Sequence, residues 1–275
     1  MADKVVVDFD HHSAAYAADP WSVAAKLASE CPVAWTNAHG GYWVISGYNE
    51  LREAAKDPAT FSNRHDLPND RSIFLGVNLP PVEGRYLPIE IDPPEQMEWR
   101  RALVAPFSQG SAEQLHPVMK QLVTWCIDKH IESGEMDFVM DLSSAVPALL
   151  TLHLMGLPLS RWHDYVEMTH KVNYETGSAH QIAHAKFNQA LAELVQVALQ
   201  RRAAPQSDLL TLVAQMKIAG KPLPEADIAG LCGTIVAGGI DTTSAVVAGA
   251  LQHLGENTAL RQRLIDNPGD RKSVV

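Results

Sequence analysis

Apolar residues recur at three- and four-residue intervals over most of the chain after residue 92. That period predicts helices near 93–105, 112–132, 141–156, 160–173, 179–202, 207–218 and 225–266. Ahead of this stretch the pattern is mixed. Asp19-Pro20 opens a helix with a capping acid and a first-turn proline, and Cys31-Pro32 closes it. A further helix runs from Tyr48 to Lys56 and stops at Asp57-Pro58. Between the two, Val33-Ala34-Trp35 and Tyr42-Trp43-Val44-Ile45 flank the turn residues His39-Gly40-Gly41, which predicts a β-hairpin over 33–46. Met136 to Met140 is a short apolar run that reads as a strand. Residues 66–92 carry Pro68, Pro80, Pro81 and Pro88 with Gly76 and Gly84, so no regular element settles there and a long loop, functional or disordered, is expected. The chain is thus mainly α with a minor β element near its N-terminus, and it shows no internal repeat.

Composition narrows the function classes. A hydrophobic fraction of 46% with 20% charged residues supplies one large core and excludes a disordered chain. The 22 basic against 32 acidic residues give a net charge of −10 with no concentrated Lys/Arg face, which argues against nucleic acid as the main partner. Cys31, Cys126 and Cys232 stand far apart, in neither a disulfide framework nor a zinc-ligand spacing, and fit a reducing compartment. No basic, then apolar, leader opens the chain, and the glycine-bearing apolar run between Asp227 and Asp241 is too short to span a bilayer. A cytoplasmic protein with no membrane association is expected.

Two constellations could carry chemistry. In Asp92-Pro93-Pro94-Glu95 the acid at the cap, the prolines and Glu95 specify a helix start. Gln96 and Arg100 follow four residues apart on one face, which suits either a grip on an anionic group such as a carboxylate or a solvated face with a surface ion pair. The second lies in the Pro-free stretch from Glu225 to Asn267, where Ala237-Gly238-Gly239-Ile240-Asp241-Thr242-Thr243 places two glycines inside a helix. Each costs roughly 1 kcal/mol relative to Ala, so each needs a reason. One reason is a ligand approaching a locally bulged helix, with Asp241 and Thr242 facing one gap as a proton-relay pair. The other is a tight helix crossing, with Asp241 capping or bridging elsewhere. His180 and His184, four apart with no third ligand nearby, read as a surface pair, and His11-His12 read as solvent-exposed.

The Asp92-Pro93-Pro94-Glu95 motif with Arg100, followed by Ala237-Gly238-Gly239-Ile240-Asp241-Thr242-Thr243, resembles the soluble bacterial cytochromes P-450, which are haem-thiolate monooxygenases. The resemblance extends over essentially all 275 residues and over the N-terminal and central part of that fold, with the C-terminal part missing. It implies a partial cytochrome P-450 domain in which 225–256 is the long distal helix and 66–92 the loop covering the substrate pocket. Haem b is the implied cofactor, facing Gly238 and Gly239, with Gln96 and Arg100 reaching its propionates. In this family the acid matching Asp241 helps deliver protons and the hydroxyl matching Thr242 holds dioxygen. Phe74, Leu75, Tyr86, Ile89, Thr234 and Ala237 are the implied pocket residues for a small, mostly apolar substrate. Dioxygen, an iron-sulfur ferredoxin and its reductase are the implied partners.

The same resemblance places the Glu-x-x-Arg helix and the iron-ligating Cys loop beyond residue 275, and none of the three cysteines has that loop's context, so no metal ligand is assigned here. The chain as given is therefore expected to hold haem poorly and not to hydroxylate. Alternatives of another class are a non-catalytic helical ligand-binding fragment and an unstable truncated product.

Overall fold

The computed structural model describes residues 4–64, 76–77, 84–175 and 177–269. They divide into two compact units, Met1–Trp99 and Arg100–Val275.

In the first unit, Ser13 caps α1 (Ala14–Ala18) by accepting the Tyr16 amide. Asp19 caps α2 (Pro20–Glu30) by accepting the Ser22 amide at 3.0 Å, with Pro20 in the first turn as its fixed φ favours. β1 (Val33–Thr36) and β2 (Tyr42–Ile45) pair antiparallel, with Trp35 opposite Trp43. The chain before α1 adds to this ribbon through Trp35, whose carbonyl accepts from the Val7 amide and whose amide donates to Val5. The hairpin turn runs through His39, Gly40 and Gly41 at φ 51, 87 and 96. Gly41 has a further constraint, because a Cβ there would run into the Trp35 ring. α3 (Tyr48–Lys56) follows, ended by Asp57.

The second unit is almost wholly helical. α4 (Glu95–Leu103) carries the boundary between the units. Next come α5 (Gln109–Asp128), α6 (Ala145–Met155), α7 (Trp162–Tyr174), α8 (Gly177–Ala203) and α9 (Leu209–Gln215). A two-residue hairpin, β3 (Lys217–Ile218) with β4 (Lys221–Pro222), leads into α10 (Glu225–Glu256) and α11 (Thr258–Asp266). α6 buries Ala145, Pro147, Ala148, Leu149, Thr151, Leu152 and Met155, so it is apolar all round and forms the centre of the unit. α10 packs against α6, α7 and α8 through Ile228, Leu231, Cys232, Val236, Ile240 and Ser244. After Ser244 no residue of α10 is buried, although Val246, Val247 and Leu251 continue its apolar content.

Four expectations are corrected here. Met136 to Met140 does not form a strand. Asp137 accepts from the amides of Val139 and Met140, and a wide helical turn over Phe138–Ser143 follows instead. The helix expected over 207–218 ends at Gln215, because Ala219 and Gly220 at positive φ turn the chain into the small hairpin. The helix expected to run to 266 breaks at Asn257, whose side-chain amide donates to the His253 carbonyl. Finally, Phe138–Met155 and Glu225–Glu256 are long and apolar enough to cross a membrane by length and composition, contrary to the reading of a short run. Within the fold, half of the apolar part of the first and 39% of that of the second are buried.

Candidate functional site

The acid of the first motif is used differently from a simple cap. Asp92 accepts from the Ser62 hydroxyl and the Asn63 amide, and α4 begins only at Glu95. Just before it, Glu90 is 1% exposed and its two carboxylate oxygens accept from the backbone amides of Val77 and Tyr86 at 2.8 and 2.7 Å. Burial and the neighbouring Glu90 charge push the Tyr86 phenol above its ordinary pKa. Tyr86 is half-buried on this turn, and Ile89 points to solvent. Phe74 and Leu75 lie outside the described residues.

α4 presents Gln96, Trp99 and Arg100 at i, i+3 and i+4, on one side of the helix. Trp99 is buried with its Nε1 donor unpaired, a costly arrangement that an acceptor would relieve. Arg100 is exposed, and among the described residues it makes no ion pair. An amide, an indole N–H and a guanidinium together are a donor set for carboxylates, so these residues fit the propionates of a haem.

On α10 the glycine doublet splits into two roles. A Cβ on Gly239 would come 2.6 Å from Thr151 Oγ1 of α6, so this glycine lets the two helices approach. A Cβ on Gly238 would meet nothing within 4 Å, so that position is open. The helix itself is unbroken from Glu225 to Glu256, and no bulge opens at the doublet. The Thr242 hydroxyl instead donates to the Gly238 carbonyl at 2.6 Å, and Thr234 and Ser244 do the same to Gly230 and Ile240.

Thr234, Ala237, Gly238 and Asp241 fall at i, i+3, i+4 and i+7 and so share one face of α10. At its Asp241 end this face meets α7. Asn173 Nδ2 donates to Asp241 Oδ2 at 2.8 Å, and His170 Nε2 stands 3.2 Å from Oδ1. Partial desolvation, then the Asp241 charge and hydrogen bond, raise the Tyr174 phenol pKa. The Asp241 side chain is only 12% exposed, whereas Thr242 is exposed. Acid and hydroxyl therefore do not share one gap: the carboxylate turns to α7 and the hydroxyl turns back along its own helix. His170, Asn173 and Tyr174 were not singled out in the sequence. Their signal was three polar side chains at i, i+3 and i+4 on one helix.

The cysteines are not set out as metal ligands. Cys232 is fully buried and its thiol is pushed up to about 12 by burial, and Cys126 lies buried beside Ala145 and Leu149 with its pKa also raised by burial. The His180 and His184 rings lie tilted to one another with centroids 5.9 Å apart, and among the described residues no third ligand joins them. A groove of about 660 Å³ between α5, α6 and α9, lined by Phe107, Leu115, His153, Leu212 and Met216 among others, contains none of the motif residues.

The order of helices, with a long glycine-bearing helix crossing the central one, is the fold of the cytochromes P450. Superposition supports this over the part the chain spans. A P450 of Novosphingobium aromaticivorans, CYP108D1, matches with a TM-score of 0.74 at 24% identity, covering 92% of this chain and 64% of that one. A mutant of P450 EryK in complex with erythromycin B matches with a TM-score of 0.78 at 21% identity, covering 92% and 63%. In sequence the chain is similar to cytochrome P450 109 of Bacillus spizizenii (21% identity, 93% of this chain and 61% of the relative). It is also similar to probable cytochrome P450 127A1 of Sinorhizobium fredii (28%, 83% and 53%) and to linalool 8-monooxygenase of Pseudomonas putida (24%, 89% and 64%). The chain thus spans between half and two thirds of the length of these three relatives. No protein-family profile matches it.

Proposed function

We propose that residues 1–275 supply the oxygen-side part of a haem monooxygenase that hydroxylates a small, mostly apolar organic molecule. The observation that carries this reading is α10, where Gly238 leaves an open position on the helix beside a held carboxylate, Asp241, and a hydroxyl, Thr242. Haem b, when bound, supplies reductive activation of dioxygen and insertion of one oxygen atom into a C–H bond. Gln96 and Arg100 would hold its carboxylates, with the Trp99 indole N–H as a third donor, and Gly238 keeps a side chain off the helix where the macrocycle would lie, while Gly239 gives its space to Thr151 of α6. Asp241 stores a proton position fixed from α7, and Thr242 can exchange its bond to the Gly238 carbonyl for one to a ligand oxygen, because a hydroxyl rotates freely. Tyr86, Ile89, Thr234 and Ala237, with Phe74 and Leu75, form the substrate contacts. Electrons come from a ferredoxin and its reductase, in the cytoplasm.

Neither buried cysteine offers a thiolate, and this favours a second reading for residues 1–275 taken alone, ligand binding without turnover. One experiment separates the two. The protein is reconstituted with haem, reduced and exposed to carbon monoxide. The expected result is haem bound without the red-shifted Soret band of a thiolate-ligated iron, and with weaker retention in Arg100→Ala. A full red-shifted band would show that one of Cys31, Cys126 and Cys232 ligates the iron. Absence of any haem binding would sink the haem assignment.

A further inference from the structure

A cluster far from α10 in sequence lies within the first unit. One ring nitrogen from each of His11, His12 and His39 falls within 4.8 Å of the others. The ring centroids are 4.1 Å apart for His11 and His12, 5.6 Å for His11 and His39, and 5.3 Å for His12 and His39. His11 and His12 sit just before the Ser13 cap of α1, and His39 sits in the β1–β2 turn. They are brought together because the N-terminal segment is sewn to β1: the Thr36 hydroxyl donates to the Phe9 carbonyl at 2.6 Å, beside the Val7 and Trp35 backbone bonds. His39 takes the left-handed conformation, φ 51, an uncommon one for a residue with a Cβ.

We propose that His11, His12 and His39 form a binding site for a divalent transition-metal ion of the zinc type, which clips the N-terminal segment to the β-hairpin. Zinc–imidazole bonds of about 2.0–2.1 Å put tetrahedral ligand atoms about 3.4 Å apart, so modest side-chain rotations gather these three around one ion. Outer partners are already in place. Asp10 Oδ1 stands 2.9 Å from His39 Nε2 and also accepts the His12 amide at 2.8 Å. The Tyr42 hydroxyl stands 3.0 Å from His11 Nδ1. A carboxylate or hydroxyl on one nitrogen is how metal-bound imidazoles are oriented for coordination through the other. The His180/His184 pair has the spacing but not the third ring, and serves as an internal control.

The test is calorimetric titration of the EDTA-stripped protein with Zn²⁺, with Co²⁺ absorption reporting coordination geometry. One equivalent is expected to bind, with the intense visible band of tetrahedral Co²⁺, and affinity should fall with pH as protons compete for the imidazoles. His12→Ala, at an exposed position, and His39→Asn, which suits the left-handed backbone, should each lower affinity by roughly tenfold or more. Far-ultraviolet circular dichroism should show both variants still folded. The double variant His180→Ala/His184→Ala should bind as the parent does. The proposal is overturned if the parent protein binds no Zn²⁺, if both cluster variants bind unchanged, or if binding disappears with His180 and His184.

Discussion

Asn173 donates to Asp241 across 2.8 Å, so the acid in the middle of the long helix is positioned from the end of α7 and not by its own helix. His170 faces the other carboxylate oxygen, which leaves Asp241 bracketed from one side. A double-mutant cycle with Asn173→Ala and Asp241→Ala, read by urea unfolding, should return a coupling of about 0.5–1.5 kcal/mol. Independent effects of the two substitutions would mean that the bond contributes nothing to holding the acid.

The adjacent glycines of α10 should respond to alanine with opposite signs. Gly238→Ala adds a methyl to open space and gains helix propensity, so it should stabilise by roughly 0.5–1 kcal/mol. Gly239→Ala drives a methyl into Thr151 and should destabilise. Adding Thr151→Ala to Gly239→Ala should recover part of the loss. Equal melting shifts for the two glycine variants would remove the packing explanation.

Acid should act through Asp208. Burial alone would raise its pKa, but the hydroxyl and amide of Thr211 and the Arg201 guanidinium outweigh that and hold it below the ordinary value of 3.8. A carboxyl lowered in the folded state contributes stability that is fully present above 3.8 and is lost as pH falls through the folded value. Asp208→Asn should therefore cost stability at pH 7 and progressively less below about pH 4. A penalty that stayed constant down to pH 3 would contradict the assignment.

Thiol labelling should sort the cysteines by burial. Cys31 is partly exposed and should react with a disulfide reagent under native conditions, whereas Cys126 and Cys232 should react only after unfolding. Fast modification of more than one thiol in the folded protein would be the contrary result.

If residues 1–275 are part of a longer protein that also supplies a thiolate ligand to the iron, Thr242→Ala there should leave oxygen consumption running while less of it appears as product, with peroxide released in its place. Asp241→Asn should slow both. Unaltered coupling in the Thr242 variant would remove that hydroxyl from proton delivery.

Much of this was legible because capping chemistry is local. Asp19-Pro20 and the His39-Gly40-Gly41 turn carry their instructions within a few residues, and α2 and the β1–β2 pairing follow them. The two motifs likewise identified α4 and α10 as the helices to watch. What the sequence hid depends on partners distant along the chain. Gly239 is explained by Thr151, and Asp241 by His170 and Asn173, none of which a helical period can pair with it. Asp92 looked like a cap, yet its oxygens go to Ser62 and Asn63. Phe138, Val139 and Met140 form a run too short for any period to declare itself, and the Asp137 carboxylate decided their conformation. His11 and His12 read as wet side chains because nothing local announces that the hairpin turn brings a third imidazole to them.

Beyond Ser244 the long helix carries a greasy ridge that nothing covers among the described residues. Val246 is 69% exposed, with Val247 and Leu251 beside it. Such a ridge adheres to its own kind more readily on gentle warming, because the attraction is entropic near room temperature. Turbidity should thus appear with concentration while the helices are still intact, and Val246→Lys should clear the solution without moving the melting point.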